Sequence, residues 1–368
     1  MLTLPRRPFR VAAAATLTLV IAALIAAVLW AILDAATDAS GGSRVDIAHL
    51  LRMTALQAGL TMVLSLLVGT ALAWALNRLR FAGRDLVVGL FTAAIVTPGM
   101  VVAFGLLSIW GRNGWINQAS EALFGIGFES PAYGLSGILL AHVILDGAFA
   151  GRILLARLDA IPQNRLKMGQ SLGLSAWQRF ALIDWPALRG SLPGLGAIIF
   201  LLAFTSFPIV LLLGGGPANQ TLEVAIYTAV RLDFDLVGAV RLALTQIGVC
   251  SLVILLASAF TPVPSALSRS TQPRWRDSAP VRVLQWAVLV LGAIGFALPL
   301  LSVLYDGLTS GLLRVLGQAS FWRATATSII IGASSALLTL ALALMLALGR
   351  SAAYRQGARV MLGIPAFA

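Results

Sequence analysis

His142 and Asp146 stand four positions apart, which sets an imidazole and a carboxylate on one face of a helix. They interrupt the apolar run Leu139-Leu140-Ala141-His142-Val143-Ile144-Leu145-Asp146. Ionisable groups at membrane depth are costly and face a bundle interior or a water-filled cavity. Two uses fit such a pair: a face bordering a translocation path, or a hydrogen-bonded pair that fastens neighbouring helices. Wider chemistry is thinly represented. His49 is the only other histidine and lies far away in sequence, so no metal motif or hydrolase triad is supported. No metal or cofactor is expected. Clustered acid, base and nucleophile pairs are missing, which argues against a membrane-embedded enzyme. Lone Cys250 sits in an apolar stretch and reads as a small buried hydrophobe. Gly214-Gly215-Gly216-Pro217 lacks the Gly-Lys-Ser/Thr ending of a phosphate loop and reads as a turn leaving a helix. The chain has no such loop anywhere, so ATP-driven work would need an ATPase on another polypeptide.

The elements that must position these groups follow from composition. Of 368 residues, 59% are apolar and 11% charged, with a mean hydropathy of +0.93, which places the mass of the chain in lipid. A net charge of +12 could indicate a nucleic-acid binder. The basic residues instead fall singly or in small clusters between long apolar runs, so no nucleic-acid partner is expected. A helix crosses the hydrocarbon core with roughly 20 apolar residues. Eight runs reach that length, near 11–33, 53–76, 86–109, 133–156, 191–213, 236–258, 283–305 and 325–349, and a ninth begins near Val360. The first is too long for a signal peptide's apolar core of about 7–15 residues and is read as an uncleaved helix. With the N-terminus inside, segments 1–10, 77–85, 151–190, 259–282 and 350–359 hold 19 of the 26 basic residues, the bias that orients cytoplasmic loops. Nine of the 14 acids fall outside.

Thr97-Pro98-Gly99 interrupts the third run and Phe207-Pro208 the fifth. Proline removes a backbone hydrogen bond, and transport sites often sit near such breaks, so Pro98 and Pro208 join His142 and Asp146 as candidates for a path. Segments 44–84 and 311–359 share one order: a short amphipathic stretch, a spanning helix, and an Arg-bearing turn. Their offset of about 273 residues predicts two similar halves. The first is 1–260, a linker rich in Pro and Arg occupies 261–282, and 283–368 is an incomplete second half with two helices and the start of a third.

The longest inside loop, 157–190, is the most informative segment. Two short helical stretches meet at Gly173, whose lack of Cβ permits a sharp turn; Ser175 is placed to cap the second, and Pro186 is expected to end it. Trp177, Phe180 and Trp185 supply bulky apolar contacts, while Lys167, Arg179 and Arg189 are expected to face water. An interfacial helical hairpin and a docking element for a partner both fit this pattern. The run from Lys167 to Pro186 resembles the EAA loop of ABC importer permeases, with Gly173, Ile183 and Pro186 at the required spacing and with Lys167-Met168-Gly169 and Trp185 departing from it. In that family the loop is the coupling helix that enters a cleft on a cytoplasmic ATPase. The resemblance narrows to thiamine and thiamine pyrophosphate permeases over Gly105–Trp115, Pro131–His142, Leu213–Pro217 and Thr221–Tyr227.

The resemblance implies an all-α, polytopic transmembrane bundle of the type I ABC importer permease fold in a bacterial inner membrane. It implies cytoplasmic ABC ATPase subunits and a periplasmic substrate-binding protein as partners. It also implies a transport subunit without its own ATPase site, and thiamine or its phosphates as passenger. Ferric iron, a polyamine or a phosphonate are alternative passengers for the same machine. From another class, an ion-coupled secondary transporter would use His142 and Asp146 as a relay.

Overall fold

The computed structural model describes residues 8–37, 46–127, 129–258 and 277–355, and all regular structure within them is helical. In chain order the α-helices are α1 (Pro8–Thr37), α2 (Ile47–Arg78), α3 (Arg84–Ala93), α4 (Gly99–Trp110), α5 (Trp115–Phe124), α6 (Gly134–Asp159), α7 (Gln163–Ser171), α8 (Ala176–Arg179), α9 (Trp185–Arg189), α10 (Leu192–Phe204), α11 (Pro208–Leu213), α12 (Leu222–Arg231), α13 (Leu236–Ser258), α14 (Ala279–Thr309), α15 (Leu312–Leu316) and α16 (Ala319–Arg355). Helices α1, α2, α6, α13, α14 and α16 are each long and apolar enough to cross a membrane. The chain is therefore a multi-pass membrane protein. The run expected from Val360 and most of the expected linker 261–282 lie outside the described residues.

Two of the eight expected spans are not single helices. Over 86–109 the chain forms α3 and α4, separated by residues 94–98. Pro98 is extended at φ −61° and ψ 131°, and the residue before a proline is disfavoured from helical geometry. The Thr97 hydroxyl donates to the Ala93 carbonyl at 2.8 Å, which also accepts the Val96 and Thr97 N–H groups at 3.1 and 3.0 Å. At a rise of about 1.5 Å per residue, the two pieces extend only about 15 and 18 Å, each roughly half of the hydrocarbon core. Over 191–213, α10 stops at Phe204 and Pro208 opens α11. The stretch 176–189 meets α10 at a bend of 60°.

By contact the chain divides into two compact units, Gly42–Gly307 and Met1–Gly41 with Leu308–Ala368. In the larger unit α2 and α6 run parallel, and glycines set how closely they approach. A Cβ on Gly69 would lie 2.5 Å from the Ala150 Cβ, and one on Gly151 3.2 Å from the Leu72 Cβ. Interfaces of small residues let membrane helices approach where no hydrophobic drive joins them. Helix α14 packs into the same unit: Gly105 of α4 lies directly beneath the Pro299 backbone, the Ser302 hydroxyl donates to the Gly105 carbonyl at 3.2 Å, and Phe296 meets Phe91 edge-on at 6.5 Å. In the smaller unit α1 packs on α16 where Gly349 meets Ala14.

Candidate functional site

The segment between α6 and α10 folds as an elbow. Helix α7 ends at Ser171, and the Gly173 and Leu174 N–H groups donate to the Gln170 and Gly169 carbonyls at 3.1 and 3.2 Å, closing its last turn. Gly173 has φ +67°, a left-handed conformation that L side chains adopt at a cost of roughly 1–2 kcal/mol. A Cβ there would meet nothing within 4 Å. Gly173→Ala is therefore expected to lower the elbow's local stability by about 1 kcal/mol through backbone strain alone, read as faster amide exchange over 169–178 with unchanged exchange in α2.

Ser175 caps the second stretch as expected, and more completely. Its hydroxyl accepts the Gln178 N–H at 3.3 Å while the Gln178 side chain accepts the Ser175 N–H at 2.9 Å, a reciprocal capping box. Two expectations are corrected here. Pro186 does not end the helical path: Phe180–Asp184 form a π turn in which the Trp185 N–H reaches back to the Phe180 carbonyl, and Pro186 sits in the first turn of α9, which continues to Arg189. Proline is tolerated where no N–H is needed, as in a first helical turn. Arg179 is buried at 3% exposure rather than facing water. Lys167 and Arg189 are exposed as expected.

The elbow is two-faced. Leu166, Ile183 and Leu188 are buried in the main core with Leu154, Leu155 and Leu158 of α6. On the other side, Trp177 is 74% and Leu172 70% exposed, joined by Met168, Leu182 and Trp185. Trp177 stacks on Phe180 at 6.0 Å, and Trp185 meets Phe180 at a tilt of 39° and 6.4 Å, so the three rings form one aromatic edge. In a membrane protein an exposed apolar face of this kind contacts the lipid interface or a partner protein.

Beneath the π turn, Asp184 forms an ion pair with Arg78 at the end of α2, their side chains 1% and 3% exposed. The Arg78 Nε also lies 4.0 Å from Asp277, which accepts from the Gln285 amide at 2.7 Å. None of these partners is evident from the sequence, because Arg78 and Asp184 are 106 positions apart.

Of the residues expected to border a path, the two proline breaks are brought together. A Cβ on Gly99, beside Pro98, would lie 2.9 Å from Ile209, beside Pro208, and 3.9 Å from Leu145 of α6. His142 and Asp146 are buried on a strip of α6 between two packed faces: Gly147, Ala150 and Gly151 against α2, and Ile138, Ala141 and Leu145 against α4 and α11. The His142 Nδ1 pairs with the Ile138 carbonyl of its own helix at 2.8 Å, while its Nε2 and the Asp146 Oδ2 have no hydrogen-bond partner among the described residues.

Facing this strip, α2 carries a polar stripe of fully buried Thr54, Gln57, Thr61 and Ser65. Gln57 donates to the Ala203 carbonyl of α10 at 2.6 Å, and the Thr54 hydroxyl accepts the Leu222 N–H at 2.9 Å. Among the described residues the Thr61 and Ser65 hydroxyls and the Gln57 side-chain oxygen have no hydrogen-bond partner. The register that sets Gly69 against Ala150 brings Ser65 level with Asp146 and Thr61 level with His142. The stripe's helical spacing was the signal by which the sequence could have shown it. Among the described residues no group of His, Cys, Asp and Glu is arranged to hold a metal ion.

No family model matches the chain. It is similar to the thiamine transport system permease protein ThiP of Brucella melitensis, 40% identical over 321 residues, covering 86% of this chain and 59% of that one. It is 38% identical to ThiP of Escherichia coli K12 over 301 residues, 81% of this chain and 56% of that one. The chain thus spans little more than half the length of these relatives. A putative 2-aminoethylphosphonate transport system permease, PhnU of Salmonella typhi, is 29% identical over 52% of this chain. Among solved structures, a bacterial ABC transporter involved in alginate import shares the fold with a TM-score of 0.52 at 16% identity, covering 59% of this chain and 79% of that one.

Proposed function

We propose that this chain is the membrane-spanning permease part of an ATP-driven, binding-protein-dependent importer that carries thiamine or a thiamine phosphate. The observation that carries the reading is the elbow: a capped, two-faced, aromatic-edged projection, built where the sequence resembles a coupling loop, in a chain 36–40% identical to thiamine permeases. A cytoplasmic ABC ATPase receives the exposed edge of Leu172, Trp177 and Leu182, and hydrolyses the ATP. A periplasmic protein delivers the passenger on the opposite side. The charge bias puts the N-terminus in the cytoplasm and the elbow with it.

The two-half organisation belongs to the same reading. The offset of 273 carries Ala319, the first residue of α16, to Asp46, one residue ahead of α2, so two spanning helices start at matching positions of the two halves. The passenger's path runs beside the strip of His142 and Asp146 and the paired breaks at Pro98 and Pro208, where buried polar groups lack partners and the helices are already interrupted. A carboxylate suits a cationic heterocycle.

Vesicles containing the complete transporter are expected to accumulate labelled thiamine only with ATP and the loaded binding protein. ATP-independent uptake by the isolated chain would instead make it a secondary transporter. In the same vesicles Asp146→Asn is expected to lower uptake about tenfold, equivalent to roughly 1.4 kcal/mol on a barrier, with normal expression and assembly. Unchanged uptake removes Asp146 from the path.

A further inference from the structure

Three elements of the 42–307 unit converge on one guanidinium. Arg78 is the last residue of α2, the 32-residue helix that packs along α6. Its Nη2 bonds Asp184 in the π turn of the elbow, and its Nε lies 4.0 Å from Asp277, at the root of α14. The contact to Asp184 is a single point rather than a two-pronged fork: among the described residues the Arg78 Nη1 and the Asp184 Oδ1 are buried without hydrogen-bond partners. A fork would fix the planes of both groups, whereas one hydrogen bond permits rotation about it. Asp277 is itself held in place by Gln285. One buried cation thus stands between two buried carboxylates, one on the elbow and one on α14.

An open apolar groove of about 730 Å³ runs along the elbow between α2 and α14, lined by Trp74, Trp177, Phe180, Trp185 and Leu284 among others.

We propose that Arg78 is the positioning residue that couples the elbow to the bundle, and that it does so by exchanging its principal partner between Asp184 and Asp277. When the elbow is seated as in this structure, Arg78 holds Asp184. When an ATPase draws the elbow outward, the guanidinium passes to Asp277 and locks α2 to the root of α14. The two pairings are the discrete states that any such transmission needs. A buried charge cannot be left unpaired without large cost, so partial displacement is unstable and the joint moves between two positions. No bond is made or broken beyond hydrogen bonds, and no proton is transferred.

The inference rests on the reading of the elbow as an ATPase-docking element, and the test keeps the two apart. In the complete transporter in vesicles, ATP hydrolysis is measured with and without loaded binding protein, alongside thiamine uptake. Asp277→Asn leaves the Arg78–Asp184 pair in place and retains an oxygen for Gln285. It is expected to leave assembly and basal hydrolysis unchanged, while stimulated hydrolysis and uptake fall about tenfold, within the roughly 5–150-fold span of site-to-site coupling. Arg78→Lys keeps the charge but not the two-directional reach and is expected to behave likewise. The triple variant Arg78→Met, Asp184→Leu and Asp277→Asn restores a packed, uncharged joint; a merely structural cluster would be rescued by it, whereas a switch would not. Coupled, wild-type uptake in all three variants overturns the joint and leaves the transporter reading standing. A wild-type chain that assembles with no ATPase overturns both.

Discussion

Replacing Asp184 by alanine is expected to destabilise the protein by about 1–3 kcal/mol, the range for leaving a buried donor unsatisfied, because Arg78 keeps Asp277 within reach. The Arg78 side chain is 3% exposed, and its nearest remaining acid is 4.0 Å away. The thermal unfolding midpoint of the purified chain in detergent measures the loss. Arg78→Met, Asp184→Leu and Asp277→Asn together remove all three charges and are expected to recover most of the loss, since apolar replacement of buried ion pairs is often neutral or stabilising. If Asp184→Ala melts with the wild type, the pair is solvated and the elbow is held by Ile183, Leu188 and Leu166 alone.

The second large effect belongs to Gly105. A Cβ there would lie 2.2 Å from the Pro299 carbonyl oxygen and 2.6 Å from its carbon. Both are backbone atoms, so no side-chain rotation relieves the contact and α4 must separate from α14. Gly105→Ala is expected to cost about 3 kcal/mol, the upper part of the overpacking range, despite alanine's better helix propensity. Gly89→Ala in α3 is the comparison, because a Cβ there meets nothing within 4 Å. It is expected to be neutral or to stabilise by up to about 1 kcal/mol. Equal melting of the two variants would mean that α14 does not press on α4 as described.

The fold was legible wherever apolar length decides it. Helices α1, α2, α6, α13, α14 and α16 each cover an expected span, because about 20 apolar residues have no other stable arrangement in lipid. Pro98 and Pro208 announced the two breaks, yet length alone still presented 86–109 and 191–213 as continuous. In the elbow, Gly173 and Ser175 were readable because a left-handed turn and an N-cap demand particular residue types. The π turn was not, because Phe180–Asp184 carry no residue that marks an extra backbone position, and so Pro186 read as a stop. Arg179 read as wet because its burial depends on tertiary packing that no local pattern encodes. The Arg78–Asp184–Asp277 joint was hidden for the same reason, its members being brought together only by the chain's path. The stripe of Thr54, Gln57, Thr61 and Ser65 is a different case: its spacing is helical, but four small polar residues in a 32-residue apolar helix are individually unremarkable.

The central claim is that the elbow's exposed edge seats an ATPase. Its most direct measurement is capture of the chain from membranes in which it is co-expressed with the ABC ATPase of the same transporter, comparing wild type with Trp177→Asp. Trp177 is 74% exposed and outside the buried core, so this variant is expected to fold and insert as the wild type does. The account expects a stable wild-type complex whose ATPase is lost from the Trp177→Asp variant at equal yield of inserted chain. Equal recovery of the ATPase by both, or by neither, would contradict it.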